Sequence, residues 1–270
     1  MNQKPLIAVI VQARMGSTRL PGKVLKKILG EPMLWHLVNR VEKSRYVDTL
    51  IIAATEDKKD DAIEIFANEY HLGIDRGSEN DIVDRYYNAA RKYNAGVIVR
   101  IWGDCPLIDP EIIDKVIEQF LSYNADYANN SNPPTFPFGM NIEIYSFNTL
   151  ERIWKETRDP FFREYPFEYI YANQESFKTV YVKNDVDLSD IHLTVDYIED
   201  FELITKIFEK LYSKHMVFNM KDILDLIDKH PGLRVMNKEM KRNIEYTKEL
   251  KERQKLIEKN EHFDNNKKEE

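Results

Sequence analysis

Short apolar runs alternate along the first half of the chain with segments whose apolar residues recur at helical spacing. The runs are typical of strands buried on both faces, and the recurring positions are typical of helices with one buried face. Strands are predicted over residues 6–11, 49–55, 72–75 and 96–101, with helices over 33–41, 60–70, 80–93 and from 110 onward. This order predicts an α/β fold with a doubly wound, mostly parallel sheet.

The second half of the chain has a less regular pattern. A loop rich in proline and asparagine is predicted over residues 129–138, strands over 140–147, 177–183 and 191–195, and helices over 149–156, 163–172 and 198–212. No linker separates independent domains, so residues 1–235 are predicted to form one domain with halves of about 1–125 and 126–235. The charged residues 236–270 predict a helical or disordered tail.

The composition indicates a globular protein with a sizeable core, since 43% of the residues are hydrophobic and 31% are charged. A formal net charge of −7 disfavours a general nucleic-acid-binding protein. The only cysteine, Cys105, excludes an intramolecular disulfide and indicates a reducing, cytoplasmic compartment. No apolar run approaches the roughly 18 residues of a membrane span, so we expect neither membrane insertion nor nucleic-acid binding.

A loop of basic and small residues follows the first predicted strand. It contains the cations Arg14, Arg19 and Lys23, the hydroxyl of Ser17, and the glycines Gly16 and Gly22. Glycines let backbone N–H groups approach phosphate oxygens, and guanidinium and ammonium groups neutralise the phosphate charge. This combination, placed between a strand and a helix, predicts a site for the polyphosphate of a nucleotide.

The spacing within this loop excludes two familiar nucleotide-binding motifs. The Walker A pattern G-x-x-x-x-G-K-[ST] fails, because five residues separate Gly16 from Gly22 and Val24 follows Lys23. The pattern G-x-G-x-x-G of dinucleotide-dependent oxidoreductases is also absent after this strand. A surface loop that is basic without a ligand is the plainer alternative, but it requires neither the flanking strand nor the flanking helix.

Two aspartates follow predicted strands. Asp104 comes shortly after residues 96–101, and Asp196 comes directly after residues 191–195. Ligands of open α/β sheets bind at the carboxyl ends of the strands, where two carboxylates facing a triphosphate can hold Mg²⁺. A helix cap is the alternative for each of these aspartates, and it is the interpretation given to Asp60. The histidines do not occur at the spacing of metal ligands.

Four motifs make the chain resemble the spore coat polysaccharide biosynthesis protein F family: QARMGSTRLPGKVL, RGSENDIVDRYYNAA, RIWGDCPLIDP and LTVDYIEDFELI. That family is similar to the cytidylyltransferases that make CMP-activated sugars, such as the 3-deoxy-manno-octulosonate and acylneuraminate enzymes. The resemblance spans about residues 7–211. It implies a Rossmann-like nucleotidyltransferase fold with a helical C-terminal extension, CTP as donor, Mg²⁺ as cofactor and a homodimer.

The resemblance implies a role for each matching residue. Catalytic roles fall on Arg14, Arg19, Lys23 and Asp104, and Mg²⁺ would be held by Asp104 and Asp196. The nucleotide would be bound by Ala13, Arg14, Gly16, Ser17, Arg19, Lys23, Arg76, Ser78 and Asp104. The acceptor would be bound by Asn141, Glu143, Arg163 and Tyr165. The chain departs from the family where Tyr165-Pro166 replaces a usual His-Val and where Asn141 replaces a common aspartate.

The reaction implied is CMP transfer from CTP to a small anionic or sugar acceptor, a sugar acid or sugar-phosphate-like molecule, with release of pyrophosphate. Its place would be the biosynthesis of a surface polysaccharide or glycan. A nucleotide-sugar-dependent glycosyltransferase is the alternative, although such enzymes usually place a metal on Asp-x-Asp and here Cys105 and Pro106 follow Asp104. A non-catalytic nucleotide-binding protein is disfavoured by the full set of cations and carboxylates.

Aromatic residues in the second half of the chain have two interpretations. Phe136, Phe138, Phe161 and Phe162 lie in or near the loops of the predicted acceptor half. They fit a dimer contact or a lid over the acceptor, and they fit local core packing beneath a long loop equally well.

Overall fold

The computed structural model of the protein describes residues 4–212, 217–240, 243–244 and 246–255. The chain forms two compact units, residues 1–238 and residues 239–270. In the second unit, residues 246–255 are helical, and residues 256–270 of the predicted charged tail lie outside the described residues. None of the helices in the described ranges is long and apolar enough to cross a membrane.

The first unit contains strands and helices in nearly alternating order. The strands are β1 (Ile7–Gln12), β2 (Lys27–Ile28), β3 (Glu31–Pro32), β4 (Thr49–Thr55), β5 (Gly73–Gly77), β6 (Val97–Trp102), β7 (Tyr127–Asn129), β8 (Glu143–Ser146) and β9 (Thr179–Tyr181). The helices are α1 (Met33–Val41), α2 (Asp61–Glu69), α3 (Ile82–Lys92), α4 (Pro110–Ser122), α5 (Phe147–Glu156), α6 (Pro160–Glu164), α7 (Pro166–Ala172), α8 (Ile198–Leu211), α9 (Met220–Lys229) and α10 (Pro231–Val235). Helices α9 and α10 were not predicted from the pattern.

A seven-stranded sheet in the order β5-β4-β1-β6-β8-β7-β9 runs through this unit, and β2 and β3 form a separate ribbon. The neighbours β5, β4, β1 and β6 are parallel, β8 is antiparallel to β6 and β7, and β9 is parallel to β7. The sheet is therefore mostly parallel, which confirms the fold class predicted from the apolar runs. Both predicted halves of the chain contribute strands to this one sheet.

Strand β1 shows why its sequence is an unbroken apolar run. Ile7, Val9 and Val11 belong to the core that includes side chains of α1, α2, α4, α8 and α9. Ala8 and Ile10 belong to a second core on the opposite face, with side chains of α3, α5 and α7. Because helices cover both faces, every position of the strand is apolar, which is the doubly wound arrangement.

The order of connections reverses between β1 and β6. The chain moves outward from β1 through β4 to β5, and β6 then pairs with the other side of β1. In open α/β sheets such a reversal leaves a crevice at the carboxyl ends of the two strands. The basic loop that follows β1 and the Asp104 segment that follows β6 therefore border the same crevice.

Several elements of the second half differ from the prediction. The helix predicted over 163–172 is broken at Tyr165, whose backbone (φ −120°, ψ 75°) is not helical, because the residue before a proline is disfavoured from the helical region. The prediction of a strand over 191–195 is wrong, because these residues form no strand and His192 makes an isolated bridge to Phe138. Strand β7 was not predicted from the pattern, and its last residue, Asn129, is the first residue of the predicted loop.

Gly139 packs closely against the backbone of Leu193 and Thr194, shortly before Asp196. Its φ is +110°, and an added Cβ would lie 2.7 Å from the carbonyl carbon of Leu193. We therefore expect Gly139→Ala to lower the free energy of unfolding by about 1–3 kcal/mol in urea denaturation. Gly232→Ala is the control, because nothing lies within 4 Å of a Cβ added there. Equal losses in the two variants would contradict this account.

Candidate active site

The basic loop after β1 is anchored at both of its ends. The backbone N–H of Gly22 donates to the carbonyl oxygen of Met15 at 3.0 Å, and Gly22 has φ +68°, a conformation that glycine adopts without strain. The N–H of Met15 donates to Asp60 at 2.7 Å. The other carboxylate oxygen of Asp60 accepts from the N–H and the hydroxyl of Thr55, at 2.9 and 2.6 Å. Asp60 thus ties the loop to the end of β4, a role that its interpretation as a helix cap missed.

The anchored loop presents backbone donors to the crevice. The backbone N–H groups of Gly16, Ser17 and Thr18 donate to no acceptor within the described part of the chain. The Ser17 hydroxyl oxygen accepts from the N–H of Leu20 at 3.3 Å, so its own hydrogen can still be donated. Successive unpaired donors of this kind form a concave binding site for anions.

Lys23 lies among three oxygen acceptors. Its ammonium nitrogen is 2.8 Å from Asp104 Oδ2, 3.0 Å from Asp196 Oδ1 and 2.7 Å from the carbonyl oxygen of Val195. These contacts use all of the ammonium hydrogens. Burial would lower the pKa of Lys23, but the two facing carboxylates outweigh it and hold the pKa above its ordinary value. The buried side chain is therefore a cation held by two carboxylates.

Asp196 is oriented toward Lys23 by its own neighbours. Arg19 donates to Oδ1 of Asp196 at 2.7 Å, and the backbone N–H of Asp196 donates to the buried carboxylate of Asp200 at 2.9 Å. Burial acts to raise the pKa of Asp196, yet Lys23 and Arg19 hold it below its ordinary value. The carboxylate is therefore ionised at neutral pH.

The helix that follows Asp104 is capped by another residue. The N-cap of α4 is Asp109, which accepts from the N–H of Glu111, so the cap interpretation that the sequence left open does not describe Asp104. At the start of α8, the carboxylate of Asp200 accepts from the backbone N–H of Tyr197 at 2.8 Å.

Close backbone packing brings the two strand ends together. The N–H of Gly103 donates to the carbonyl oxygen of Gln12 at 2.9 Å, and a Cβ on Gly103 would lie 2.7 Å from that oxygen. Ala13, which is buried beside Gly103, donates its N–H to the carbonyl oxygen of Ala53 at 3.2 Å. Only a glycine at position 103 lets Asp104 follow β6 so close to the end of β1.

The other predicted nucleotide contacts are placed differently. Arg14 is half-exposed and pairs with Glu79 at 2.7 Å, on the loop that follows β5. Ser78, also exposed, lies on that same loop. Arg76 donates to Asp61 and Glu64 of α2, each at 2.7 Å. It therefore faces α2 instead of the Lys23 cluster, which consists of Lys23, Arg19, Asp104 and Asp196.

The predicted acceptor residues are not gathered at one place. Glu143 is buried and accepts from Arg100 at 2.9 Å, and Arg163 is buried and donates to Asp81 at 2.6 Å. The ring of Tyr165 lies against that of Phe161, with centroids 5.2 Å apart. Asn141 lies toward the crevice edge: since Glu143 is opposite Arg100 in antiparallel register, the preceding residues of the chain lie toward the carboxyl end of β6.

Packing within the first unit explains part of the aromatic cluster. Phe136 is buried in the main core, and Phe161 is also buried. Phe138 lies near His192, with ring centroids 5.7 Å apart, and Phe162 lies near Phe161 at 5.9 Å. Core packing therefore accounts for Phe136, and the dimer and lid interpretations of the others stay predictions.

A buried polar network at Gln12 was not evident from the sequence. Arg100 donates to Gln12 Oε1 from Nε at 3.3 Å and from Nη2 at 3.0 Å, and the Tyr86 hydroxyl donates to the same oxygen at 3.3 Å. These donors fix the orientation of the carboxamide at the end of β1. Because Gln12 and Arg100 are far apart in the sequence, only the strand pairing reveals their contact.

The residues around Lys23 fit a divalent ion that takes most of its ligands from a substrate. In the part of the chain that the structure describes, no group of three or more His, Cys, Asp or Glu side chains could hold a metal ion. Asp104 and Asp196 nevertheless face a common cation, and two carboxylates are what Mg²⁺ requires beside phosphate oxygens and water. Cys105 is unsuited as a ligand, because burial raises the pKa of its thiol.

The model for the cytidylyltransferase family matches residues 8–267. The chain belongs to the cytidylyltransferase family. The spore coat polysaccharide biosynthesis protein SpsF of Bacillus subtilis is 30% identical over 83% of this chain and 95% of its own length. A 3-deoxy-manno-octulosonate cytidylyltransferase of Pelobacter propionicus is 36% identical over 43% of this chain and 44% of its own length. The solved structure of a cytidylyltransferase from Leptospira borgpetersenii has 34% identity and a TM-score of 0.81, covering 86% of this chain and 97% of that chain.

Membership in the cytidylyltransferase family confirms the predicted family and the nucleotidyltransferase class of enzyme. It also excludes the two alternative functions considered from the sequence, a nucleotide-sugar-dependent glycosyltransferase and a non-catalytic nucleotide-binding protein. The match reaches residue 267, so the family relationship extends beyond the first structural unit.

Proposed function

We propose that this cytidylyltransferase transfers CMP from CTP to a sugar acid or sugar-phosphate-like acceptor, in the biosynthesis of a surface polysaccharide or glycan. The observation that carries the proposal is the Lys23 cluster, where a basic loop and two carboxylates meet at the ends of β1 and β6. The choice of acceptor class is supported by the names of the Bacillus and Pelobacter relatives, a spore coat polysaccharide biosynthesis protein and a 3-deoxy-manno-octulosonate cytidylyltransferase.

In the proposed reaction, an acceptor oxygen attacks the α-phosphorus of CTP in line with the departing pyrophosphate. The bond from this oxygen to phosphorus forms, the bond from phosphorus to the oxygen that bridges to the β-phosphate breaks, and an attacking hydroxyl releases its proton to solvent water. Pyrophosphate leaves with the electron pair of the broken bond. Arg14, Arg19 and Lys23 would neutralise its charge, with the free N–H groups of the loop as further donors.

Asp104 and Asp196 would hold Mg²⁺, with phosphate oxygens and water completing its ligands. The bound ion would polarise the α-phosphate and so stabilise the charge that develops there. Lys23 would then contact phosphate oxygens instead of these two carboxylates. The homodimer and the cytoplasmic location expected from the sequence are further parts of this proposal.

Lys23→Met should increase the affinity of the nucleotide-free protein for Mn²⁺ by about tenfold. The reason is that the Lys23 ammonium competes with the ion for the carboxylates of Asp104 and Asp196. Electron paramagnetic resonance of free Mn²⁺, recorded without nucleotide, measures this affinity. Lys27→Met, at an exposed position of β2, is the control and should behave as wild type. Equal affinity in all three proteins would show that the ammonium does not compete for this site.

Binding of nucleotides tests the donor in the proposed function. We expect CTP with Mg²⁺ to raise the Tm of the protein, and UTP, ATP, GTP and dTTP to have smaller effects. A shift with nucleotide diphosphate sugars and none with CTP would contradict the proposal.

A further inference from the structure

Arg85, on α3, is a buried arginine with few partners. The residue is 4% exposed. Its Nη1 donates to the carbonyl oxygen of Ser78 at 3.1 Å, and its buried Nε has no acceptor among the described residues. Within the same ranges, no carboxylate lies within 4.0 Å of its guanidinium. The charge of Arg85 is therefore buried without a counterion.

The other buried arginines in the described ranges are better satisfied. Arg100 and Arg163 each face a carboxylate, at 2.9 and 2.6 Å. Arg40 also has one buried nitrogen, Nη1, without an acceptor among the described residues, but it donates to two backbone carbonyl groups, each at 2.7 Å, and lies over the ring of Phe218. Arg85 donates to a single backbone carbonyl group, that of Ser78, and contacts no carboxylate among the described residues. Its contacts within the fold therefore do not explain why an arginine is buried there.

Arg85 stands at the carboxyl edge of the sheet, beside the crevice. Its stem packs on Gly77, the last residue of β5, where an added Cβ would lie 3.5 Å from Cβ and Cγ of Arg85. Burial lowers the pKa of Arg85, Tyr86 and Glu164 oppose this lowering, and the charges of Arg14 and Arg100 add smaller contributions to it. The carbonyl group that Arg85 binds belongs to Ser78, the neighbour of Glu79, and Glu79 is the partner of Arg14. Arg85 and Arg14 therefore contact the same loop.

We infer that Arg85 binds an oxyanion of a substrate, a phosphate or carboxylate group that enters the crevice beside Arg14. A guanidinium presents a fork of N–H donors that matches two oxygens of either group. Such a group would supply the acceptor that Nε lacks and an anion in direct contact with the guanidinium, which Arg85 lacks among the described residues. The source is either the triphosphate of CTP or the anionic group of the acceptor.

The stability of the free protein separates this role from a structural one. Burying a charge without a counterion costs free energy, so its replacement by a methionine of similar length should not destabilise the fold. We expect Arg85→Met to have a Tm equal to or above that of wild type, with weaker binding of anions. Arg91→Met is the control on the same helix, since Arg91 is exposed; it should change neither Tm nor binding. Arg85→Lys keeps the charge without the fork and should bind anions with intermediate affinity.

Isothermal titration with CTP, pyrophosphate, cytidine and 3-deoxy-manno-octulosonate distinguishes the two sources. If Arg85 binds the triphosphate, Arg85→Met lowers the affinity for CTP and pyrophosphate by about tenfold to a hundredfold and leaves cytidine unchanged. If Arg85 binds the acceptor, the same variant loses affinity for the sugar acid alone.

Three outcomes would overturn the inference. Arg85→Met could be destabilised while binding all four probes as wild type does, which would make Arg85 structural. It could lose affinity for cytidine as strongly as for CTP, which would place the base, not an oxyanion, at Arg85. Wild type could bind none of the anionic probes. If Arg85→Met does not fold, the Arg85→Lys titrations decide between the same outcomes.

The identity of these probes rests on the proposed function. Failure of wild type to bind CTP while it binds another anion would count against that function and not against Arg85. Equal affinities of wild type and the folded Arg85→Met variant for every probe would count against Arg85 alone.

Discussion

Replacing Asp104 with asparagine should lower kcat by about a thousandfold and leave Tm close to that of wild type. Asp104 caps no helix, and its side chain is 25% exposed with Lys23 as its ion-pair partner. An asparagine can still accept the hydrogen bond from Lys23, so the fold keeps its contact. What the variant loses is the negative charge that the proposed metal requires. Pyrophosphate release, measured beside a thermal melt, gives both quantities.

Asp75→Asn is the matched control for this variant. Asp75 lies on β5 and pairs with Lys92 at 3.0 Å, so it also loses one ion pair to a lysine. Its kcat should remain near that of wild type, because neither residue lies at the Lys23 cluster. If Asp104→Asn kept full turnover per folded molecule, the role of Asp104 in holding a metal would be wrong.

Replacing Arg100 with methionine should lower the free energy of unfolding by about 3–5 kcal/mol. Arg100 and Glu143 are both nearly inaccessible, each with a side chain 4% exposed, and they lie 2.9 Å apart. Burial would lower the pKa of Arg100, but Glu143 outweighs it and holds the pKa above its ordinary value. Removing the cation leaves Glu143 as a buried charge with no counterion. Urea denaturation measures the loss.

The double variant Arg100→Met/Glu143→Leu should recover most of this stability, since it removes both buried charges together. The Tyr145 hydroxyl also donates to Glu143, at 2.7 Å. Equal losses in the single and double variants would show that this bond and those from Arg100 to Gln12, rather than the ion pair, carry the effect. In either variant, the carboxamide of Gln12 loses the two N–H donors of Arg100 and keeps the Tyr86 hydroxyl as a donor.

Local sequence patterns predicted the parallel part of the sheet well for a physical reason. Strands such as β1 and β4 are covered by helices on both faces, so every position is apolar and the run is visible without knowledge of its neighbours. The loop after β1 was equally visible, because its glycines and cations are contiguous. Asp104 could be proposed as a metal ligand because it comes shortly after a recognisable strand.

Features that depend on pairing across the sheet could not be predicted in this way. The contact of Arg100 with Glu143 follows from the register of β6 against β8, and residues 191–195 alternate like a strand although the fold gives them one isolated bridge. The partners of Arg76 show the same limit: the resemblance implies a nucleotide contact for this residue, and the sequence does not reveal that it pairs with the carboxylates of Asp61 and Glu64. Each of these outcomes depends on a partner distant in sequence.

The most direct test of the proposed reaction follows the α-phosphate of CTP. The protein is incubated with Mg²⁺, CTP labelled in that phosphate, and a panel of sugar acids and sugar phosphates. The account predicts that, with one acceptor, the label moves from CTP into a CMP-linked product and one pyrophosphate is released for each label transferred. It would be contradicted if the label stayed in CTP with every acceptor while nucleotide diphosphate sugars gave up free nucleotide diphosphate.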